Sequence, residues 1–383
     1  MDVRLFQDPR MARLIEGMCR VGALSTFAAK KARYLQILTE RFWERLKGNK
    51  PLFLTLLICI LQASPSFADW NVSTEGTFYY TNDAALFSAT RRLSRNQDPT
   101  QPVIDSNLAK QGSDMVFEPN AKIEKSFSLM GRPTKIAVRG QGFVFADKTQ
   151  FNHGSLGVQA THDLSSSTNL FLRYFFGPGL FLGKNEVRPI EESGGDSPLL
   201  KSEIVTTNYW AGGIAQKIPG VDDARLILFG RYGLRKYDKP FTQRDTNFWT
   251  IGTHVEWSLT DTVDLALGYH YERGLADGRK EPELKDDISY NNHFVTGELG
   301  FEITKKIGLE MAVHYEFNGW TTDIQGDERN GQHENVVQGD IIVRYRVNQA
   351  LQMTAGYQEA FRKESFEDGL NNRSIWLGGK FVF

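Results

Sequence analysis

Along residues 70–383 the chain alternates large apolar side chains with polar or small ones at a period of two. A strand imposes that repeat when its two faces meet different surroundings. The clearest case is Ser374-Ile-Trp-Leu-Gly-Gly-Lys-Phe-Val-Phe383, where Ile375, Leu377, Gly379, Phe381 and Phe383 share one face and Trp376, Gly378, Lys380 and Val382 the other. Five further segments share a layout: they open on Leu-x-Leu or Leu-x-Met and close on a tyrosine of the same face. These are Leu170-Phe-Leu-Arg-Tyr174, Leu226-Ile-Leu-Phe-Gly-Arg-Tyr232, Leu265-Ala-Leu-Gly-Tyr269, Leu309-Glu-Met-Ala-Val-His-Tyr315 and Leu351-Gln-Met-Thr-Ala-Gly-Tyr357. Each follows a short polar turn, around 165–168, 219–223, 260–262, 304–306 and 348–349. The other connections are longer: 83–112, 177–201, 274–287 and 318–334, with lesser ones near 148–154, 238–245 and 363–372. This frame predicts strands at 70–81, 114–127, 134–146, 155–164, 169–176, 203–216, 224–236, 247–258, 263–272, 290–303, 307–317, 335–347, 350–361 and 374–383. That is fourteen. An extra hairpin inside 83–112 would make sixteen, and two spurious short strands would leave twelve.

The segment before these strands has another composition. Its first fifty residues carry eleven basic and five acidic side chains, a surplus of six, so a whole-chain charge of −1 leaves −7 on the remainder. Pro51-Leu-Phe-Leu-Thr-Leu-Leu-Ile-Cys-Ile-Leu-Gln-Ala63 is then an apolar run too short to span a bilayer as a helix, followed by Ser66-Phe-Ala68. A basic flank, a short apolar core and a small-residue site are the parts of a secretory signal peptide. We therefore expect residues 50–68 to be the signal, cleaved after Ala68, and 69–383 to be one domain. Residues 1–49 read as an N-terminal extension: a long n-region or a start assigned too far upstream, with Met11 and Met18 also available. Ile58 before Cys59 is too bulky for a lipoprotein signal. Cleavage removes Cys19 and Cys59, the only thiols, which suits an oxidising compartment and excludes disulfides and thiolate metal sites from the mature chain. No later stretch has eighteen consecutive apolar residues, so a mature chain that crosses a membrane must do so as a closed barrel.

The closing strand resembles that of Gram-negative outer-membrane β-barrels, porins among them, through Gly379, Phe381 and the terminal Phe383. Trp376 departs from that pattern at a position often polar. The resemblance implies an all-β, antiparallel up-and-down transmembrane barrel, both ends of the mature chain on the periplasmic side, and assembly by the barrel-insertion machinery, which reads these terminal residues. It also implies outer-membrane lipid and lipopolysaccharide as surroundings. Alternation of short turns with long loops agrees.

Strand parity divides the residues between two walls. Ile136, Val138, Leu226, Leu228, Trp249, Ile251, Met311, Val313, Val337 and Ile341 are expected to face outward, with tyrosine and tryptophan at strand ends as interfacial belts. The inward set has a basic part, Lys122, Arg139, Arg173, Arg231 and Arg235, and an acidic part, Glu256, Glu272, Glu298, Glu302, Glu310, Glu316 and Asp340. So many charges in a dry core would cost several kcal/mol per unpaired ion, on the order of the whole stability of a domain, whereas a wet interior removes that cost. Aromatic residues Phe143, Phe171, Phe175, Trp210, Phe229 and Phe248 are expected on the same inward wall. Arginine beside rings guides sugars, aromatic acids or amphiphiles; the same rings also serve as filler beneath an inserted loop. Segregated charge resembles the transverse field of general porins; ladders of pairs that stiffen or plug the barrel are the other reading.

Fourteen strands about 4.8 Å apart, tilted near 40°, enclose a backbone diameter of roughly 28 Å. Segments 83–112, with Arg91, Arg92 and Arg95, and 177–201, with Glu186, Glu191, Glu192 and Asp196, are the candidates to fold in. The expected function is a channel for small hydrophilic or amphipathic solutes, with no cofactor and no metal. A plugged scaffold barrel that docks another secreted component and an outer-membrane lipid hydrolase stay as rivals, and self-association stays open. For catalysis, His254, His270 and His314 fall on the inward face, His314 diagonal to Glu298, but parity places no serine and histidine together at the rim. Gly177-Pro-Gly-Leu-Phe-Leu-Gly-Lys184 lacks the glycine spacing and hydroxyl of a phosphate loop. Acidic Asp323, Asp327, Glu328 and Glu334 suit solvated surface or a cation bridging lipopolysaccharide phosphates. An acidic mature chain gives no basis for nucleic-acid binding.

Overall fold

The computed structural model describes residues 70–85, 87, 112–187, 199–365 and 369–383. Within them fourteen antiparallel strands pair in chain order, and the first closes on the last. They are β1 (Trp70–Thr81), β2 (Asp114–Leu129), β3 (Arg132–Phe145), β4 (His153–Asp163), β5 (Thr168–Glu186), β6 (Leu200–Lys217) and β7 (Ala224–Tyr237). The second half is β8 (Thr246–Thr260), β9 (Val263–Ala276), β10 (Tyr290–Glu302), β11 (Ile307–Trp320), β12 (His333–Arg346), β13 (Leu351–Glu364) and β14 (Leu370–Val382). The closing ladder sets Gly76 opposite Gly379 and Tyr79 opposite Trp376. Closure leaves no strand edge, so every strand finds backbone partners on both sides without water, which is the condition for standing in hydrocarbon.

The expected count of fourteen is the observed one. At one end the strands join through short turns. The tightest is Met130-Gly131, whose φ values of 53° and 74° are the two left-handed residues of a hairpin turn matched to strand twist. At the other end the connections are longer, among them 82–113, 187–199, 277–289 and 321–332.

One expected connection begins as strand. Residues 177–201 carry the glycines and proline of a loop, yet β5 continues to Glu186 against a β6 that begins at Leu200. Two register shifts, between Gly177 and Leu180 and between Phe181 and Gly183, absorb those residues as bulges, with Gly179 at φ 61° and Gly183 at φ 129°. Glycine at a positive φ marks a bulge as readily as a turn, and local sequence does not separate the two.

The outer wall follows the expected parity: Leu228, Ile251, Val313, Val337, Ile341 and Leu377 are exposed, Val313 at 60% and Leu377 at 66%. Toward the long-connection end a chain of rings runs along it. Tyr174 lies 4.6 Å from Trp210, Trp249 5.4 Å from Tyr271, Tyr271 5.2 Å from His293, and Phe317 5.6 Å from His333. Rings with a polar edge stacked at one height are what an apolar–aqueous boundary selects. No helix among the described residues is long and apolar enough to cross a membrane. The signal segment and Ala68, like Arg91, Arg92, Arg95, Glu191, Glu192 and Asp196, lie outside the described residues.

The first long connection begins by turning into the barrel. Phe87 is fully buried and meets Tyr79, Phe143 and Phe145 edge-on at 5.0, 6.2 and 6.1 Å. Those three rings belong to the inward faces of β1 and β3. Asp83 starts the turn, accepting from the Ala85 amide at 3.0 Å, while its own carbonyl accepts from the Phe87 amide at 3.1 Å.

Candidate functional site: the charged interior

Strand parity brings the basic and acidic residues to one face of the sheet, where most acquire local partners. Lys122 pairs with Glu124 at 2.7 Å, the Nε of Arg139 donates to Asn120 at 3.1 Å, and Arg173 donates twice to the Oε1 of Gln159, at 3.0 and 2.8 Å. Arg231 on β7 reaches Glu272 on β9 at 2.7 Å and Thr250 between them at 2.9 Å. Arg235, two strand repeats further along β7, meets the other oxygen of Glu272 at 3.5 Å and the hydroxyl of Tyr290. The Tyr290 hydroxyl in turn donates to Glu272 at 2.6 Å. All five side chains are nearly fully buried. A carboxylate shared by two guanidiniums and two hydroxyls has its lone pairs filled, which is what makes burying these charges tolerable.

Rings line the same seam. The Arg231 guanidinium lies 4.9 Å from the Tyr209 ring, and that of Arg235 lies 4.5 Å from Phe248. Phe175 stacks on Tyr209 at 4.9 Å, Phe143 stacks on His153 at 4.6 Å, and Phe229 meets His270 edge-on at 4.9 Å. Phe171 lies over Gly213 of β6. Trp210 is the exception. It is expected inward, but the structure places it on the outer wall at 50% exposure against Tyr174. Neighbours on a strand take opposite faces, so Tyr209 and Trp210 cannot both point inward, and Tyr209 holds the place over Arg231.

The acidic wall is less uniform than its sequence. Glu256 pairs with Arg225 and Glu310 with Arg344, both toward the short-turn end. Glu316 accepts from Asn292 at 2.5 Å, and the Thr296 hydroxyl lies 3.5 Å from Glu298. Glu302 stands exposed at the end of β10. Asp340 accepts from Gln338 at 2.9 Å and Gln358 at 2.7 Å and lies 3.3 Å from the Nε2 of His314. His314 stands diagonal to Glu298 as expected, and it joins Thr296, at 2.9 Å, and Asp340. Of the terminal residues, Phe381 and Phe383 are exposed with rings 4.7 Å apart, and Gly379 lies between Gly76 and Met353 in the sheet.

A second cluster, which the sequence did not single out, ties the long connections together. Arg244, after β7, grips Asp286, after β9, through Nε and Nη2 at 2.8 Å each and also pairs with Glu203 of β6 at 2.7 Å. Gln243 and Arg329 complete the Asp286 carboxylate at 2.7 and 3.2 Å. Burial raises the pKa of that carboxyl, but the charges and hydrogen bonds of Arg244, with Arg329 and Gln243, outweigh burial and hold it below the usual carboxylate range. Burial works against the Arg244 charge, and Glu203 and Asp286 together raise its pKa regardless. Only tertiary closure joins residues forty positions apart, so no local pattern announced this group.

A closed antiparallel barrel, apolar and ring-belted outside and charged within, has the architecture of the Gram-negative outer-membrane β-barrels. Among solved structures the chain is similar to the outer-membrane channel DcaP of Acinetobacter baumannii, at 10% identity and a TM-score of 0.50, covering 84% of this chain and 99% of that one. OccAB3 of the same organism matches at 10% identity and TM-score 0.39, over 83% of this chain and 100% of that chain. A FadL homologue of Pseudomonas aeruginosa matches at 10% and 0.42, over 82% and 89%. No family model matches the sequence, and no curated protein does. At this identity the likeness establishes the fold.

Proposed function

We propose that the protein is a passive channel of the Gram-negative outer membrane, carrying small hydrophilic or amphipathic solutes through a charged, partly aromatic interior. The supporting observation is the inversion of the two walls: Leu228 and Val313 face out while Arg231, Glu272 and Asp340 face in, on fourteen strands, a wider ring than the eight whose interior side chains fill. The route proposed for the chain is export under the 50–68 signal, cleavage after Ala68 and insertion by the barrel machinery through Gly379, Phe381 and Phe383, in contact with lipopolysaccharide. Reconstitution of the purified protein into planar bilayers tests the channel: ohmic single-channel steps support it, and silence refutes it. N-terminal sequencing of protein from outer membranes tests the cleavage.

The inward turn at Phe87 favours a second reading, a barrel plugged by its own connection and serving as a scaffold. The same recording separates the two, since a plugged barrel stays silent.

A further inference from the structure

Two histidines outside the ion-paired seam converge on the inward wall. His254 of β8 and His270 of β9 stand diagonally across one ladder, and the residue directly opposite each is a glycine: Gly268 faces His254 and Gly252 faces His270. Those glycines make the convergence possible. A Cβ on Gly268 would lie 2.8 Å from the Nδ1 and Cε1 of His254, and one on Gly252 would lie 2.9 Å from the Cδ2 of His270, so each ring lies flat over the vacant side of its neighbour strand. The two Nε2 atoms end 2.5 Å apart. His254 is half-buried and His270 only 3% exposed, with Phe229 and Phe294 against it at 4.9 and 5.3 Å.

Two imidazoles meeting Nε2 to Nε2 either share one proton in an N–H···N hydrogen bond or, with the proton of each on Nδ1, turn both lone pairs to a shared cation. The Nδ1 of His270 makes no hydrogen bond, so no neighbour fixes its tautomer and its Nε2 is able to present a lone pair. We propose that His254 and His270 form a two-histidine site for a late first-row divalent cation, Cu²⁺ before Ni²⁺ or Zn²⁺, the metals that imidazole suits. A small rotation of either ring opens the nitrogens to about 3 Å, the separation for a metal about 2.0–2.1 Å from each. No group of three or more histidine, cysteine or carboxylate ligands occurs among the described residues, and the nearest carboxylates are engaged, Glu256 by Arg225 and Glu272 by Arg231. The protein therefore supplies two positions and leaves the rest to water or a passing solute. Without an outer partner on Nδ1 the ligands are not rigidly held, which sets the binding as weak and reversible.

The inference goes beyond the channel reading, and its test reads metal directly. Full-length protein in detergent, titrated with Cu²⁺ and followed by electron paramagnetic resonance and calorimetry, should show one site with two-nitrogen coordination. His254→Ala and His270→Ala should each weaken it at least about tenfold, while His314→Ala, elsewhere on the same wall, should leave it unchanged. Retained heat-modifiable migration on gels confirms that each variant is folded; if His270→Ala fails this check, His254→Gln, at the more exposed position, takes its place. Equal Cu²⁺ binding by wild type and His254→Ala overturns the site, as does coordination by a single nitrogen. Cu²⁺ binding by a protein that conducts nothing would refute the channel and leave the site standing.

Discussion

Arg244 and Asp286 face each other edge to edge, with Nε and Nη2 of the guanidinium each 2.8 Å from a carboxylate oxygen. The pair joins the connection after β7 to the one after β9 and, through Arg329, to the one after β11. A group whose pKa is depressed in the folded state adds stability that is full above its ordinary pKa and disappears as pH falls through the lowered value. For Asp286 the contribution is thus constant at neutral pH and declines only in acid, below about pH 4. Hydrogen exchange across 277–289, expressed relative to the intrinsic amide rate at each pH, should be slow at neutral pH and fast in acid. Asp286→Asn should bring the fast exchange to neutral pH, since removing one member of a buried pair costs about 3 kcal/mol. Equal protection in variant and wild type at neutral pH would show that the clamp does not hold the connection.

Close approach of Phe248 to Gly233 gives a second prediction. The Phe248 ring lies across Gly233, where a Cβ would collide with it and would lie 2.7 Å from the Asn208 carbonyl oxygen of the adjoining strand. A ring can swing aside, but a backbone oxygen in a paired ladder cannot. Gly233→Ala should therefore displace Phe248 from Arg235, its neighbour at 4.5 Å, and destabilise the barrel by about 1–3 kcal/mol. Equilibrium urea unfolding in lipid vesicles measures this, with Gly140→Ala, where an added Cβ meets nothing within 4 Å, as the silent control.

Periodicity made the barrel legible because a wall between lipid and water forces alternation at nearly every position, and fourteen strands repeat the signal. Leu228, Val313 and Leu377 face out as their parity requires. Parity failed at Tyr209-Trp210, where two aromatic neighbours satisfy either assignment and only the Arg231 guanidinium decides between them. It failed differently at 177–186, where bulges imitate a loop. Parity assigns these charged residues to one face of each strand, but it does not announce their partners. Glu272 holds Arg231 and Arg235 from two strands away, and such contacts exist only after the ladder fixes register.

Lipid contact at mid-height can be tested by charge. Leu228 and Val313 are 48% and 60% exposed on the outer wall. Arginine near the bilayer midplane of a barrel costs about 2–4 kcal/mol. Leu228→Arg and Val313→Arg should each lower unfolding stability in vesicles by that amount, whereas Glu302→Arg, exposed at the strand end, should change it little. Equal losses at Val313 and Glu302 would contradict the assignment of the two walls.

Arg173 offers the cleanest reading of the interior's charge. It projects from β5 into the barrel and is held by the neutral side-chain oxygen of Gln159, so replacing it changes charge without breaking that ion-paired seam of Arg231, Arg235 and Glu272. A fixed charge acts on passing ions over about 10 Å at 0.1 M salt and farther when salt is dilute. Arg173→Glu should therefore shift the reversal potential under a salt gradient toward cation selectivity, and more so as ionic strength falls. Trp210→Ala, on the lipid side of the neighbouring strand, should leave selectivity alone while costing about 1–2 kcal/mol of stability through lost apolar burial. If Trp210→Ala moved the reversal potential and Arg173→Glu did not, solutes would be passing somewhere other than the interior of this barrel.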